Sequence, residues 1–374
     1  MPPAKKRGWI RKTLRFFVVV IFLYAAFLAV FFLKCTFTGP NYSPHPAANP
    51  AHAAFAAEIG ANRRPLEDAY YSYPEWYIVY SYAERADFLE RHLPSGFPHW
   101  REIAQYSRGY CFVSRITHER RQFNFGDHLM LVVLGTSFTL EYGIRSAYEN
   151  TIGRLSEWSS SGQPVEEDAY AARVARDYAN FVYIRPFYEY YFARCLNGLW
   201  KETHLWGPHP VRKWERKAIL SVDYGLEATY AWVLEKASHI TYGIESADTY
   251  AAIENVPDNF FQDFPRIRKV KELQPHSFIV IIPRYQEFTE LTVQLAKRDV
   301  HFLDIAGNEV IFVTAVVPKN SKLDSKDAQV LFEEGFITHP DLKRVALECP
   351  VNTLHAVLND LRGRGAQIEH VYDF

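Results

Sequence analysis

The chain has 374 residues, which is enough for two or three domains with buried cores. Lysine and arginine number 42 and aspartate and glutamate 43, a net charge of −1, while 48% of residues are apolar and 16% are aromatic. This composition argues against an intrinsically disordered chain and against a protein that coats nucleic acid through a basic surface.

The N-terminal region combines a basic tail with a long apolar run. Residues 16–33 read FFVVVIFLYAAFLAVFFL without a charge, and about 17 to 25 such residues form a helix that crosses a bilayer. Six basic residues precede the run and only Lys34 closely follows it, which places the N-terminus in the cytoplasm. The pattern predicts a cytoplasmic tail at 1–15, an uncleaved signal anchor at 16–34, a lipid bilayer as partner, and a non-cytoplasmic bulk of the chain.

A spacer and four scattered cysteines follow the apolar run. Residues 35–64 are rich in proline and alanine, which is typical of a semi-rigid linker. The cysteines are too far apart for a C-x-x-C zinc pattern. Cys111 and Cys195 could form a disulfide in an oxidising compartment, although buried thiols are more typical of widely spaced cysteines.

The middle region, residues 65–272, has helical spacing and many aromatic residues, and it contains an internal repeat. TLEYGIRSAY at 139–148 aligns without a gap on SVDYGLEATY at 221–230, with the Tyr-Gly pair and the final tyrosine identical. An acidic residue precedes Tyr-Gly in each copy, and an aromatic stretch lies upstream of each. We interpret the repeat as a duplicated helical unit that forms a pair of packed helices.

The repeat supplies the candidate site. Glu141 and Asp223 are the candidate catalytic residues, because two carboxylates buried together raise one pKa and suit proton exchange or metal binding. The alternative is an ion pair in which Arg145 meets Asp223 or Glu227 and holds the helices in register. The candidate binding residues are Tyr142, Arg145, Tyr224 and Glu227. Neither copy has an E-x-x-H motif, so no metal site is predicted and the cofactor is unknown.

Two further features of the middle region bear on function. The segments 129–144 and 218–234 are long enough to cross a membrane, but their acidic residues favour buried helices of the folded body. The aromatic clusters could line a groove for an apolar ligand, although ordinary core packing is the preferred interpretation. The chain has no G-x-S-x-G, Walker, HExxH or G-x-G-x-x-G motif.

The C-terminal region, residues 273–374, changes to β-branched strands that alternate with helices. Two β-α-β units at 276–305 and 343–373 predict a ferredoxin-like sandwich, with one sheet that carries both helices on one face. The charged segment 318–342 is predicted to be an exposed insertion with a short helix at 325–334. The predicted strands are 276–283, 300–305, 309–317, 345–349 and 367–372, and the predicted helices are 286–298 and 351–362.

The predicted fold class is therefore α+β, with a single N-terminal transmembrane helix, a mainly helical aromatic-rich domain and a C-terminal ferredoxin-like α/β sandwich. The predicted function is a membrane-anchored binding or scaffold protein on the non-cytoplasmic side, with a protein partner or apolar ligand and no nucleic acid. The alternatives are an enzyme that uses the Glu141/Asp223 pair, and a three-span membrane protein for transport or lipid handling. The missing catalytic motifs favour a protein that is not an enzyme.

Overall fold

The computed structural model describes residues 5–42, 57–241, 248–323 and 326–373, and combines a helical N-terminal part with two antiparallel sheets. The helices are α1 (Lys5–Phe37), α2 (Glu67–Leu89), α3 (His99–Glu119), α4 (Phe125–Tyr148), α5 (Arg154–Ser159), α6 (Glu166–Val182), α7 (Phe192–Glu202), α8 (Pro210–Thr241), α9 (Phe260–Asp263), α10 (Gln286–Lys297) and α11 (Leu354–Gly363). The strands are β1 (Asp248–Glu254), β2 (Arg268–Gln274), β3 (Ser277–Pro283), β4 (His301–Ile305), β5 (Val310–Pro318), β6 (Gln329–Gly335), β7 (Leu342–Pro350) and β8 (Gln367–Tyr372).

Helix α4 shows how the local sequence sets both the start of a helix and its buried side. The Asn124 side chain accepts a hydrogen bond of 2.9 Å from the backbone N–H of Gly126, which has no partner within the helix. Buried residues then recur every three or four positions, so one stripe of the helix faces the protein interior. This stripe consists of His128, Leu131, Gly135, Phe138, Tyr142 and Ser146.

The eight strands form two sheets of identical topology. The first sheet has the order β2-β3-β1-β4 and the second has the order β6-β7-β5-β8, and every pairing is antiparallel. Helix α10 connects β3 to β4, and helix α11 connects β7 to β8. In each case one strand, β1 or β5, lies between the two connected strands. We call each β-β-β-α-β segment a β-unit.

The two β-units pack against each other and against the helical part. The Thr289 hydroxyl of α10 accepts a hydrogen bond of 2.9 Å from the Val371 N–H of β8, so the helix of one unit contacts a strand of the other. Aromatic rings extend this core into the helices, because Tyr70 of α2 contacts Phe312 of β5 with ring centroids 5.5 Å apart. The predicted aromatic core of the helical region is therefore continuous with the core of the sheets.

The prediction of a single ferredoxin-like sheet is wrong, because each β-α-β segment forms a sheet of its own. Three unpredicted strands, β1, β2 and β6, complete the two sheets. Strand β2 reads RKVKELQ and lies at a sheet edge with its side chains mostly exposed, so it lacks an apolar alternation. Strand β6 lies inside the segment 318–342, where an exposed insertion with a helix at 325–334 was predicted.

The apolar run at 16–33 forms much of α1, but the prediction of a transmembrane anchor is wrong. Within the described part of the chain, no helix has the length and apolar character needed to cross a membrane. The last turns of α1 instead join the folded protein through a Cys35–Cys111 disulfide and a hydrogen bond of 2.8 Å between the hydroxyls of Thr36 and Ser114. This finding conflicts with the predicted single-pass localisation, in which the N-terminus is cytoplasmic and the bulk of the chain is non-cytoplasmic. The same finding covers α4 and α8, which contain the segments 129–144 and 218–234.

The cysteines and the predicted spacer also differ from expectation. Cys111 pairs with Cys35 and not with Cys195, whose thiol is free and buried, as is that of Cys349. Residues 43–56 of the predicted spacer lie outside the described residues. Before them, Tyr42 is buried and its hydroxyl donates a hydrogen bond of 3.4 Å to the Leu331 carbonyl, so this end of the segment packs against the second sheet.

Candidate functional site

The two copies of the repeat lie side by side in α4 and α8, and Arg145 joins them. Its guanidinium contacts one carboxylate of its own helix and two of α8. The distances are 3.2 Å from Nε to Glu141 Oε1, 2.9 Å from Nη1 to Asp223 Oδ2 and 3.2 Å from Nη2 to Glu227 Oε1. We call these four residues the Arg145 cluster.

The cluster follows from helical spacing. Glu141 and Arg145 are four residues apart on α4, and Asp223 and Glu227 are four residues apart on α8, so each pair occupies one face of its helix. The predicted ion pair between Arg145 and the acids of α8 is confirmed. Glu141 and Asp223 do not form an isolated carboxylate pair, because both contact the guanidinium of Arg145.

Two tyrosines from other helices enclose the cluster. Tyr82 of α2 donates a hydrogen bond of 3.1 Å to Glu141 Oε2, and its ring packs edge-on against Tyr178 of α6 at 4.9 Å. The cavity between these residues has a volume of about 40 Å³. This space holds a few water molecules, at roughly 10–15 Å³ of such volume for each.

The electrostatics of the cluster favour one retained proton. Three carboxylates face Arg145, and Arg85 also lines the cavity. Burial, and then the neighbouring charge of Glu141, raises the pKa of Glu227 to about 7. The same carboxylates raise the pKa of Arg145 above its usual value, so the guanidinium stays charged. The cluster can hold two helices together and bind a proton near neutral pH.

The structure brings together most but not all of the predicted site residues. Tyr224 lines the same cavity as the Arg145 cluster. Tyr142 lies apart from it, with its ring 4.2 Å from that of Phe138 and its hydroxyl 3.1 Å from that of Ser81. The catalytic and binding roles assigned to these residues remain predictions. The sequence does not single out Tyr82 and Tyr178, which are two of many aromatic residues in this region.

A second group of buried charges, at the start of α8, was also missed. The basic residues of the sequence RKWERK are all buried and all paired with acids. Arg212 contacts Asp168 at 2.9 Å and Lys213 contacts Glu167 at 3.0 Å. In the sequence, Arg212 and Arg216 are four residues apart, as are Lys213 and Lys217, and this spacing places each pair on one face of a helix. Their matched charges indicate a structural role that attaches α8 to α5 and α6.

An open cleft lies between the end of α2 and α6. Its volume is about 710 Å³, and arginine side chains contribute to its walls. Arg176 pairs with Glu90 at 2.7 Å, and Arg173 pairs with Glu202 at 2.8 Å. These ion pairs neutralise the arginines, and no predicted site residue lines the cleft.

Comparisons with known proteins give no family for this arrangement. No family model matches the chain, no curated protein matches its sequence, and no solved structure matches its fold. Function is therefore inferred from the residues and their contacts alone.

Glu227→Gln should change the pH dependence of stability. Folding favours the protonated carboxyl of Glu227, because its pKa is raised from 4.5 to about 7. The contribution of Glu227 to the free energy of unfolding is therefore present below pH 4.5 and is lost as the pH rises through 7. Relative to wild type, we expect E227Q to gain about 2 kcal/mol in free energy of unfolding between pH 5 and pH 8. Urea unfolding at several pH values measures this difference.

The matched control is Glu202→Gln, which removes a carboxylate from an exposed ion pair with Arg173. This variant should follow the wild-type pH profile. A stability gap between E227Q and wild type that stays constant from pH 5 to pH 8 would show that Glu227 does not hold the proton.

Proposed function

We propose that the protein is a binding or scaffold protein that self-associates through an apolar surface formed by α1, α4 and α8. This surface, the three-helix face, supports the proposal because its large apolar side chains are exposed on neighbouring helices. They are Phe16, Val18, Val19, Phe22, Leu23, Phe27, Val30 and Leu33 of α1, Leu129, Met130, Val133, Leu140 and Ile144 of α4, and Val222, Leu226, Tyr230, Trp232 and Val233 of α8.

Contacts between the three helices make this surface continuous. The Tyr24 hydroxyl of α1 lies 2.5 Å from that of Thr136 of α4, and the Ser137 hydroxyl lies 3.4 Å from that of Tyr230 of α8. Apart from Met130 and Trp232, the exposed residues of α4 and α8 recur every three, four or seven positions, so they form one stripe along each helix. On α4 this stripe lies opposite the buried one, which leaves the helix apolar on two sides.

The size of the face matches a specific interface. Each of the eighteen side chains is at least 38% exposed. Half of a large apolar side chain is on the order of 80 Å², so together they exceed the roughly 800 Å² that each partner contributes to a standard protein interface. Monomeric proteins rarely expose an apolar patch of this extent.

The chemistry of the face favours a second copy of this chain as the partner. Residues 16–33 include no charged residue, and the acids of α8 at 223 and 227 contact Arg145. An uncharged apolar face is complementary to itself, and its aromatic residues and methionine are typical of interface cores. Along α1, eight of the nine residues from Phe22 to Val30 are exposed, so the helix needs cover on more than one side.

The proposal is tested by sedimentation equilibrium of the full chain and of Val133→Lys/Leu226→Lys. We expect a wild-type dimer and a monomeric variant, because two unpaired charges would be buried at the interface. The matched control is Ile184→Lys/Val270→Lys, which changes two exposed apolar residues outside the face and should remain dimeric. A monomeric wild type that co-sediments with phosphatidylcholine vesicles, or a dimeric Val133→Lys/Leu226→Lys variant, would contradict the proposal.

A further inference from the structure

Three side chains with metal-binding chemistry meet where the two β-units touch. His301 is the first residue of β4, Asp299 lies two positions before it, and His355 lies in the first turn of α11. One ligand atom from each residue lies within 4.8 Å of the other two. The first β-unit supplies Asp299 and His301, and the second supplies His355.

His301 and Asp299 already have the spacing of two ligands of one ion. The distance from His301 Nε2 to Asp299 Oδ1 is 3.1 Å. Metal–ligand bonds of about 2.0–2.2 Å in a tetrahedral zinc site place neighbouring ligand atoms roughly 3.3 Å apart. On the opposite side of the same imidazole, Nδ1 lies 3.7 Å from Glu254 Oε1. At this distance the two groups form an ion-pair contact, and a hydrogen bond from Nδ1 to Glu254 would orient the histidine and leave Nε2 for a metal ion.

His355 completes the group from the other β-unit. Its ring stacks on that of His301, with centroids 3.8 Å apart and planes inclined by 17°. One ring must therefore rotate about its side-chain bonds to direct its nitrogen lone pair at an ion shared with the other ring. Its Nδ1 is enclosed by protein, and the backbone of Asn352 lies within reach of the imidazole. A metal ion binds to an unprotonated nitrogen of an imidazole.

We propose that Asp299, His301 and His355 bind one divalent transition-metal ion and that Glu254 positions His301. Two imidazoles with one carboxylate suit Zn²⁺, whereas Mg²⁺ and Ca²⁺ prefer oxygen ligands. The Asp299 side chain is 73% exposed, so the ion can enter from solvent. The ion would cross-link the two β-units, and this site is independent of the three-helix face.

Equilibrium dialysis of the full chain against Zn²⁺ at pH 7, followed by metal analysis, tests the site. We expect one Zn²⁺ per chain. His301→Ala/His355→Ala should weaken binding more than about 100-fold, and Glu254→Gln about 10-fold to 100-fold. The control is His276→Ala. His276 is exposed and lies 3.8 Å from Asp258, so it forms a histidine–carboxylate pair in the first β-unit. It is not one of the three proposed ligands. This variant should bind like wild type.

A second readout distinguishes loss of ligands from loss of folding. Co²⁺ bound in place of Zn²⁺ should give visible absorption in wild type and none in His355→Gln, which keeps a polar side chain at the position. The far-ultraviolet circular dichroism of His355→Gln should match that of wild type. Absence of saturable Zn²⁺ binding by wild type, or unchanged affinity in His301→Ala/His355→Ala, would overturn the proposal.

Discussion

Arg344→Met should lower the free energy of unfolding by about 3 to 5 kcal/mol. The Arg344 side chain on β7 is 1% exposed and forms two hydrogen bonds, of 2.6 and 2.8 Å, with Glu369 of β8. It also lies 3.7 Å from Glu84 of α2 and 4.7 Å from the centre of the Tyr80 ring. Methionine fills a similar space but leaves both carboxylates buried without their cation. Urea unfolding at pH 7 measures the loss.

Arg344 lies at the junction of α2 and the second sheet, so its loss should also weaken the contact between these two elements. Glu84 accepts a hydrogen bond of 3.1 Å from the Ile337 N–H, so one group of contacts attaches α2 to the second sheet. The matched control is Arg364→Met, which removes an exposed arginine that pairs with Asp360 of its own helix region. We expect a change of less than about 0.5 kcal/mol for this control. Equal effects of the two substitutions would show that the buried pair does not stabilise the junction.

Arg145→Met should lower the free energy of unfolding by about 3 kcal/mol at pH 7 and less at pH 5. Without the guanidinium, the carboxylates of Glu141, Asp223 and Glu227 lose their shared partner and repel one another across α4 and α8. Lower pH reduces this repulsion, because the pKa of Glu227 is raised to about 7 and protonation of this carboxylate removes its charge. Thermal and urea unfolding at both pH values measure the effect.

Two further variants test whether repulsion is the cause. Addition of Glu227→Gln to Arg145→Met should restore part of the lost stability, because one of the opposed charges is removed. Arg173→Met, which opens the exposed pair with Glu202, is the control and should be nearly neutral. A loss in Arg145→Met that does not change with pH, and that Glu227→Gln does not reduce, would assign the effect to packing instead of charge.

Local patterns in the sequence predicted most elements of the two β-units. The strand expected at 367–372 is β8, and the helix expected at 286–298 is α10 within one residue. Both segments combine a regular apolar period with clear ends. Strand β1 was missed because DTYAAIE is poor in β-branched residues, and β2 was missed because its charged side chains face solvent. An edge strand needs no apolar face, so periodicity does not detect it.

The candidate site could be predicted only where spacing along one helix brings residues together. The four-residue spacing on α4 and α8 correctly placed Arg145 beside the acids of α8. The enclosing tyrosines come from α2 and α6, and no local pattern connects those helices to the repeat. Likewise, His355 is far from His301 in the sequence, so the metal-binding group is visible only after the two β-units are packed together.

The apolar run at 16–33 gave a misleading prediction about location because hydropathy does not report what covers a helix. In the structure, its last turns pack on the protein, where Phe31 stacks on Tyr110 with ring centroids 5.8 Å apart. The preceding turns remain exposed and form part of the three-helix face. The same apolar side chains therefore support the proposed interface between copies of the chain.

Cross-linking of single introduced cysteines measures that interface most directly. A short bis-maleimide should join two full-length chains that carry Val133→Cys, Leu140→Cys or Leu226→Cys on the three-helix face. The control substitutions Ile184→Cys and Val270→Cys, on exposed residues elsewhere, should yield monomers. Covalent dimers confined to the three-helix face are the predicted result. Equal cross-linking at the control positions, or none at the three positions on the face, would contradict the proposal that this protein assembles through α1, α4 and α8.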